Sequence, residues 1–479
     1  MAQKSLRKTI LSLSIAAVLG CSWSGSTFAD GDNVEALEAR ITELEALVHQ
    51  LLQNQQAPAA PAPTVDTAAL EAKAEEAAEA KVTAMLSEHE AAEAEKIHKH
   101  SYKFGGYVKL DTIYSDYGAG SSSGAGRDFY IPGTVPVGPK GADGESYLDL
   151  HAKESRINFR STHNLDNGAK LGTFIEMDFL LAPGGNERVS NSYQPRLRHA
   201  FVTYNNWLFG QTWMTFFNVG ALPENLDFVG PAESTIFGRQ AMIRYTNGPW
   251  QIAIENPETT VTPYREWGGA PGRTVTDDNN VPDLVLRYNL KGDWGSFTAA
   301  GIVRQLSMDG TISYPDPDQP AGEYPPKSLS VAIDDSETGW GISLSGKFVF
   351  DNNDDFRWMA STGSGMGRYM GLNTANGAVL DADGNLNAID STGVFGSYRH
   401  LWSDTWRSNF TVGYLAVDND TDLTGMGVTK NATSYHINAI YSPRPKLDFG
   451  IEFMYADREV ESGDDGDLTR IQFSAKYAF

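Results

Sequence analysis

Along the segment TRIQFSAKYAF, Ile471, Phe473, Ala475, Tyr477 and Phe479 share one parity, while Arg470, Gln472, Ser474 and Lys476 share the other. That two-residue period marks a strand with one apolar face. The alternation returns where Leu284, Leu286, Tyr288 and Leu290 oppose Asp283, Val285, Arg287 and Asn289. It recurs where Phe449, Ile451, Phe453 and Tyr455 oppose Asp448, Gly450 and Glu452, and where Phe410, Val412 and Tyr414 oppose Arg407, Asn409 and Thr411. Turn signals separate such runs from Ser101 onward. Short turns fall at 164–168, 205–206, 247–249, 291–295, 351–354, 403–404 and 442–445. Longer polar connections fall near 116–146, 181–195, 214–238, 257–282, 307–338, 364–391, 418–431 and 459–467. Seven short turns and eight long loops join sixteen strands over residues 101–479. An even-numbered antiparallel set with one apolar face predicts an all-β transmembrane barrel, wide enough at sixteen strands to hold an aqueous channel. The last strand of a soluble sandwich would alternate in the same way, and the other end of the chain decides between the two.

There, Lys4, Arg7 and Lys8 precede the apolar run 10–20 and the small-residue stretch ending Thr27-Phe28-Ala29. Residues 1–29 therefore read as a secretory signal cleaved before Asp30. Cys21, the one cysteine, follows Val18-Leu19-Gly20, so a lipidated Cys21 is the rival reading. Cleavage after Ala29 leaves a cysteine-free chain, suited to an oxidising compartment. No later window supplies the roughly 20 apolar residues of a membrane helix. Within residues 30–56, Val34, Leu37, Ile41, Leu44, Val48 and Leu51 follow a 3-4-3-4-3 spacing, the seam of a short coiled coil that brings subunits together. A single amphipathic helix is the alternative. Residues 57–66 form a Pro/Ala-rich linker, and 67–100 an Ala/Glu-rich helical segment. His89, His98 and His100 in that segment lack the companion ligands a metal site requires, so the pattern predicts no cofactor.

The precursor carries a net charge of −23, and loss of the three basic residues of 1–29 takes it to −26. Nucleic acid is excluded as a partner on that balance. With 47 Gly, 22 Phe, 20 Tyr and a mean hydropathy of −0.35, the chain is aromatic and Gly-rich without being hydrophobic overall. Barrels have this composition because half of each strand faces water.

A pore selects by the charges at its narrowest point. Much of the acid lies in the long connections, for example Asp277, Asp278, Asp334, Asp335 and Asp464, whereas basic residues recur inside strands. Parity sends Arg156 and Arg160 of SRINFRS inward, opposite Ile157 and Phe159. It places Arg196 and Arg198 opposite Leu197 and Phe201, which leaves His199 on the outer face. Ala241, Ile243 and Tyr245 outward put Arg244 in the lumen and Arg239 at the rim or on the incoming loop. Lys109 and Arg287 complete the candidate constriction. Guanidinium groups fork onto carboxylates, so the cluster reads as a filter for small anionic solutes. Pairing of each arginine with Glu176, Asp178, Glu255 or Asp283 is the plainer alternative. Trp207, Phe209, Trp213, Phe216 and Phe217 raise a carbohydrate slide, although aromatic girdles explain such residues equally well.

The order of signal, coiled coil, Ala/Pro linker and barrel resembles the DcaP-type porins. So do FGGYVKLD at 104–111, SRINFRS at 155–161, PRLRHAFVTYNNWLFGQTWMTF at 195–216 and AIENPET at 253–259. The resemblance implies a homotrimer in the outer membrane of a Gram-negative bacterium, in contact with its lipid and lipopolysaccharide, with the coiled coil in the periplasm. It implies diffusion of small anions, dicarboxylates in particular. Phe479 after an alternating strand resembles the signal read by the barrel-assembly machinery, and 214–238 occupies the place where general porins fold a loop inward. The alternatives are a general or carbohydrate-type porin and a structural envelope anchor. An enzyme is not expected: Ser434 and His436, like Ser397 and His400, are the only nominees, and Ser434 and His436 take the lumen side. DADG at 381–384 reads as a hairpin loop and not as a calcium site.

Overall fold

Lipid offers no hydrogen-bond partner, so strands that cross it must close on themselves. The computed structural model describes residues 99–122, 124–181, 184–267, 272–316 and 327–479, with Ala46 and Gln319. The signal sequence, Cys21, the seam from Val34 to Leu51, the linker, His89 and His98 lie outside the described residues. Sixteen antiparallel strands form one closed barrel. In chain order they are β1 (His100–Tyr117), β2 (Ser146–His151 continued by Arg156–Asn164), β3 (Lys170–Asp178), β4 (Arg196–Tyr204), β5 (Trp207–Trp213) and β6 (Arg239–Asn247). Next come β7 (Trp250–Glu255), β8 (Asp283–Gly292), β9 (Gly295–Pro315), β10 (Ser328–Val349) and β11 (Asp355–Ser364). The last are β12 (Asp390–Leu401), β13 (Trp406–Asp418), β14 (Thr429–Arg444), β15 (Leu447–Val460) and β16 (Asp465–Ala478). The two pieces of β2 pair with successive halves of β1 and count as one strand.

Closure runs from Tyr107 opposite Ala478 to Tyr117 opposite Leu468. The Phe479 amide donates to Gly106 O at 3.1 Å, and its ring stacks on Phe104. Gly106, in the FGGYVKLD segment, has φ 152°, and a Cβ there would lie 2.1 Å from Arg156 O. Only glycine lets β1 and β2 approach so closely. Outward parity is as the pattern predicts: Ile471, Phe473, Leu286, Phe410 and Phe453 are exposed on the barrel wall, and Gln472, Ser474, Asn409 and Glu452 are buried inside it. Among the described residues no helix is long and apolar enough to cross a membrane.

One expectation changes. The polar stretch 307–338 is mostly strand: β9 and β10, 21 and 22 residues long, stay paired as far as Pro315 and Ser328. A membrane strand needs only about 9–11 residues, so roughly half of this hairpin stands beyond the bilayer on the long-loop side. Beyond the bilayer the outer face of the hairpin meets water instead of lipid, and the lipid-driven alternation is absent from its sequence. A small sheet packs on it, made of Thr259–Thr262, Thr274–Thr276, Ala378–Leu380 and Leu386–Ala388. Val261, Trp267, Leu306, Ile333 and Leu380 form its core, with Trp267 stacked on Tyr314 at 5.4 Å. DADG closes the hairpin of that sheet, where the Asp381 carboxylate accepts the Asp383 and Asn385 amides at 2.9 and 2.8 Å.

Replacing Trp267 by Ala removes a buried aromatic side chain, at a cost of about 3–5 kcal/mol. Because that core lies beyond the membrane-spanning part of the barrel, hydrogen exchange should quicken at 259–262 and 378–388 while β13–β16 keep their protection.

Candidate functional site

The connection 214–238 enters the lumen between β5 and β6, with Phe216, Phe217, Ala221, Ala232 and Ile236 buried. A loop folded inside a barrel brings backbone groups away from bulk water, and each requires a partner. The wall supplies them by charge. Cations take the carbonyls: Arg287 Nη1 donates to Phe217 O at 2.6 Å, Arg357 Nη1 to Leu222 O at 2.6 Å and Lys109 Nζ to Leu226 O at 2.8 Å. Carboxylates take the amides: Glu255 accepts from Thr215 N at 2.7 Å and Glu452 from Leu226 N at 2.8 Å. Arg407 grips Glu224 through two bonds, of 2.9 and 2.6 Å.

Glu452 is the centre of these anchors. Besides Leu226 N it accepts from Asn225 Nδ2 at 3.1 Å and Asn438 Nδ2 at 2.9 Å, and it faces His436 Nδ1 at 3.2 Å. His436 in turn lies 3.2 Å from Ser434 Oγ, which donates to Glu233 of the loop at 2.8 Å. Ser434, His436 and Glu452 thus stand in serine-hydrolase order, but all are buried and committed to holding the loop. Ser397 is likewise buried and bonds Thr411, while His400 Nδ1 bonds Asp354 at 2.8 Å.

Two of the anticipated constriction residues, Lys109 and Arg287, are therefore loop anchors in this geometry. Lys109 is also paired with Glu154, and with Asp111 at 3.3 Å. Arg160 lies low on β2 over the Phe174 ring, 4.7 Å from its centroid. Arg244 faces the lumen and reaches Trp213 O at 3.5 Å.

Arg156, Arg196 and Arg198 come together where β2 and β4 meet the loop, and Arg239 joins them from β6. Arg196 is bidentate on Asp178 at 2.9 and 2.8 Å. Arg198, fully buried, bonds Glu176 at 2.7 Å and Asp178 at 2.6 Å. Arg156 and Arg198 both cover the Phe228 ring of the loop, at 5.6 and 5.5 Å, and Arg198 and Arg239 both cover Trp213, at 5.5 and 4.6 Å. Arg156 Nε, Arg198 Nη2 and Arg239 Nη1 are buried donors without an acceptor among the described residues. Arg196 and Arg198 thus share two carboxylates, Glu176 and Asp178, while Arg156 and Arg239 form no ion pair among the described residues. Sequence parity placed Arg239 at the rim; the signal it carried was its position directly after the aromatic loop end Phe237-Gly238.

The outward position expected for His199 is corrected. A β-bulge shifts the register so that Asp178 faces Arg196, Met177 faces Leu197 and Glu176 faces His199. Arg198 and His199 both turn inward, and every later parity on β4 is inverted. His199 packs on Trp213 at 5.2 Å, and Phe201 meets Phe174 inside the barrel. Of the candidate slide, Trp207 and Phe209 face outward, while Trp213, Phe216 and Phe217 pack within the loop cluster. Among the described residues no group of three or more His, Cys, Asp or Glu is placed to hold a metal.

Replacing Glu452 by Ala takes the acceptor from Leu226 N, Asp227 N and Asn225 Nδ2 and the partner from His436, and should destabilise the fold by at least about 3 kcal/mol. Single-channel current should become larger and noisier as the loop comes free. Glu452→Gln, which keeps the acceptor for Leu226 N, should give a weaker form of both effects; quiet wild-type current in E452A would show that the loop is held elsewhere.

The sequence model described as DcaP outer membrane protein matches residues 29–304 and 328–479. The outer membrane channel DcaP of Acinetobacter baumannii superposes with a TM-score of 0.62 at 22% identity, covering 80% of this chain and 98% of that one. OmpT of Vibrio cholerae, in a loop-deletion form, gives a TM-score of 0.46 at 11% identity, over 80% of this chain and 100% of that one. No curated protein matches the chain.

Proposed function

The chain belongs to the DcaP outer membrane protein family, and from that premise we propose that it is an anion-preferring porin whose solutes are small dicarboxylates. It is an outer-membrane β-barrel of the porin type. One observation carries the finer reading: Arg156 lies over Phe228, Arg239 over Trp213 and Arg198 over both, and each has a buried guanidinium nitrogen that lacks an acceptor among the described residues. An arginine donor buried without an acceptor is costly, and a carboxylate oxygen is the acceptor its geometry suits. Arg156 and Arg239 have no carboxylate within ion-pair distance among the described residues, a positive charge that the plain pairing alternative does not remove. The protein's overall charge of −23 does not oppose this. At about 0.15 M salt the Debye length is about 8 Å, so loop carboxylates farther off are screened from the wall.

The test is the reversal potential in a KCl gradient across a planar bilayer. Arg156→Gln with Arg239→Gln should shift the chloride-to-potassium permeability ratio about threefold towards unity and weaken block by succinate, most strongly at low salt. An unchanged ratio in a folded double variant would return these arginines to wall structure. Absence of any conductance in the wild type would favour the envelope anchor.

The remaining elements of the proposal are a cleaved signal, insertion by the barrel-assembly machinery beside lipopolysaccharide, and a homotrimer with its coiled coil in the periplasm. The strict a/d spacing from Val34 to Leu51 supports self-association. Deleting residues 30–100 should leave conducting oligomers that dissociate at a lower temperature on semi-native gels. Loss of all conductance on deletion would assign the helices a larger role.

A further inference from the structure

The side of the inward loop 214–238 facing the short turns carries a second concentration of positive charge. A cavity of about 1000 Å3 lies between the loop segment Trp213 to Gly220, the turn at Gly248 and Pro249, and the turn from Gly292 to Gly295. Its basic lining is Arg244, Arg287, Lys291 and Lys347, and its one carboxylate is Asp293. Among the described residues none of those four cations takes part in an ion pair. Arg287 spends its donors on neutral oxygens, of Thr215, Phe217, Asn218 and Asn289, so no carboxylate among its partners offsets its charge. Arg244 donates to Trp213 O at 3.5 Å, and the nearby Glu255 carboxylate is itself bound to Thr215 N and Gln240.

A smaller cavity of about 120 Å3, where the loop meets β1, β13 and β15, has the opposite character. It holds Lys109, Arg407 and Lys476 against Glu154, Glu224, Asp227 and Asp448. Lys109 and Arg407 are paired there with Glu154, Glu224 and Asp448. Charge is thus compensated in one cavity and left over in the other.

Trp213 separates the larger cavity from the arginine wall described above. Its ring lies under Arg198 and Arg239, while its carbonyl oxygen meets Arg244. Concave surfaces lined by one sign of charge focus the field and concentrate counter-ions. From these observations we infer that the short-turn end of the lumen is a separate binding site for small dianions, set by Arg244, Lys291 and Lys347 with Arg287 as a fixed charge behind them. The inference rests on the anion-channel reading and adds a second station along the path. A solute leaving the arginine wall meets this site before bulk solvent, and one arriving from the short-turn side meets it first.

The probe is succinate, added to one compartment at a time while single-channel current is recorded in 0.1 M KCl. In R244Q/K291Q/K347Q, block by succinate from the short-turn side should weaken about tenfold, and block from the long-loop side by less than about twofold. The charge-conserving R244K/K291R/K347R should block as the wild type does, which separates loss of charge from loss of fold. Wild-type block of the neutral variant from the short-turn side would overturn the proposal. Equal weakening from both sides would also overturn it, since the two stations would then be one. The permeability ratio of the Arg156 and Arg239 double variant reports on the anion-channel reading independently.

Discussion

Every backbone amide and carbonyl that crosses hydrocarbon must be satisfied within the protein, and the rest of this structure follows from that constraint. It forces β1 onto β16, because any other arrangement leaves an edge in lipid. It fixes which side chains face outward, and the apolar residues there need only match the lipid. The polar parity then turns inward by default, filling a lumen with more donors and acceptors than a narrow water column serves.

The inward loop 214–238 meets that second condition by opposite means on its two kinds of backbone group. Carbonyls go to Arg287, Arg357 and Lys109, and amides go to Glu255 and Glu452. An apolar contact alone would tolerate sliding. Charged hydrogen bonds to individual backbone atoms fix the loop's register against the wall, and burial makes each one expensive to break. The aromatic side chains Phe228 and Phe237 complete the arrangement by giving the wall arginines flat surfaces to lie on. The guanidinium charge of Arg156 and Arg239 survives because Glu176 and Asp178 are taken up by Arg196 and Arg198, and Glu154 by Lys109.

How much of this is readable in the sequence depends on whether lipid acts on the segment concerned. The strands at 284–290, 410–414 and 471–477 announce themselves because the bilayer selects one apolar face. The upper parts of β9 and β10 are free of that selection, and their residues look like loop. Inside the lumen, a pore-facing arginine and a loop-anchoring arginine have the same parity and the same neighbours in sequence. Arg287 and Arg156 therefore read alike, although Arg287 donates to loop carbonyls and Arg156 keeps an unmatched Nε. What separates them is which loop atoms arrive opposite, a fact set by contacts far along the chain.

The bulge on β4 shows where the alternation rule itself fails. In a regular strand, gaining or losing one residue exchanges the lipid and water faces of everything beyond it. At Arg198 and His199 the strand already contains one such slip, and the pairing recovers on its far side. Membrane strands are usually intolerant of length variation, so this joint is a place where related chains can differ by a residue without exposing charge to lipid. Hydropathy profiles aligned across such chains would fall out of phase there while the barrels themselves superimpose.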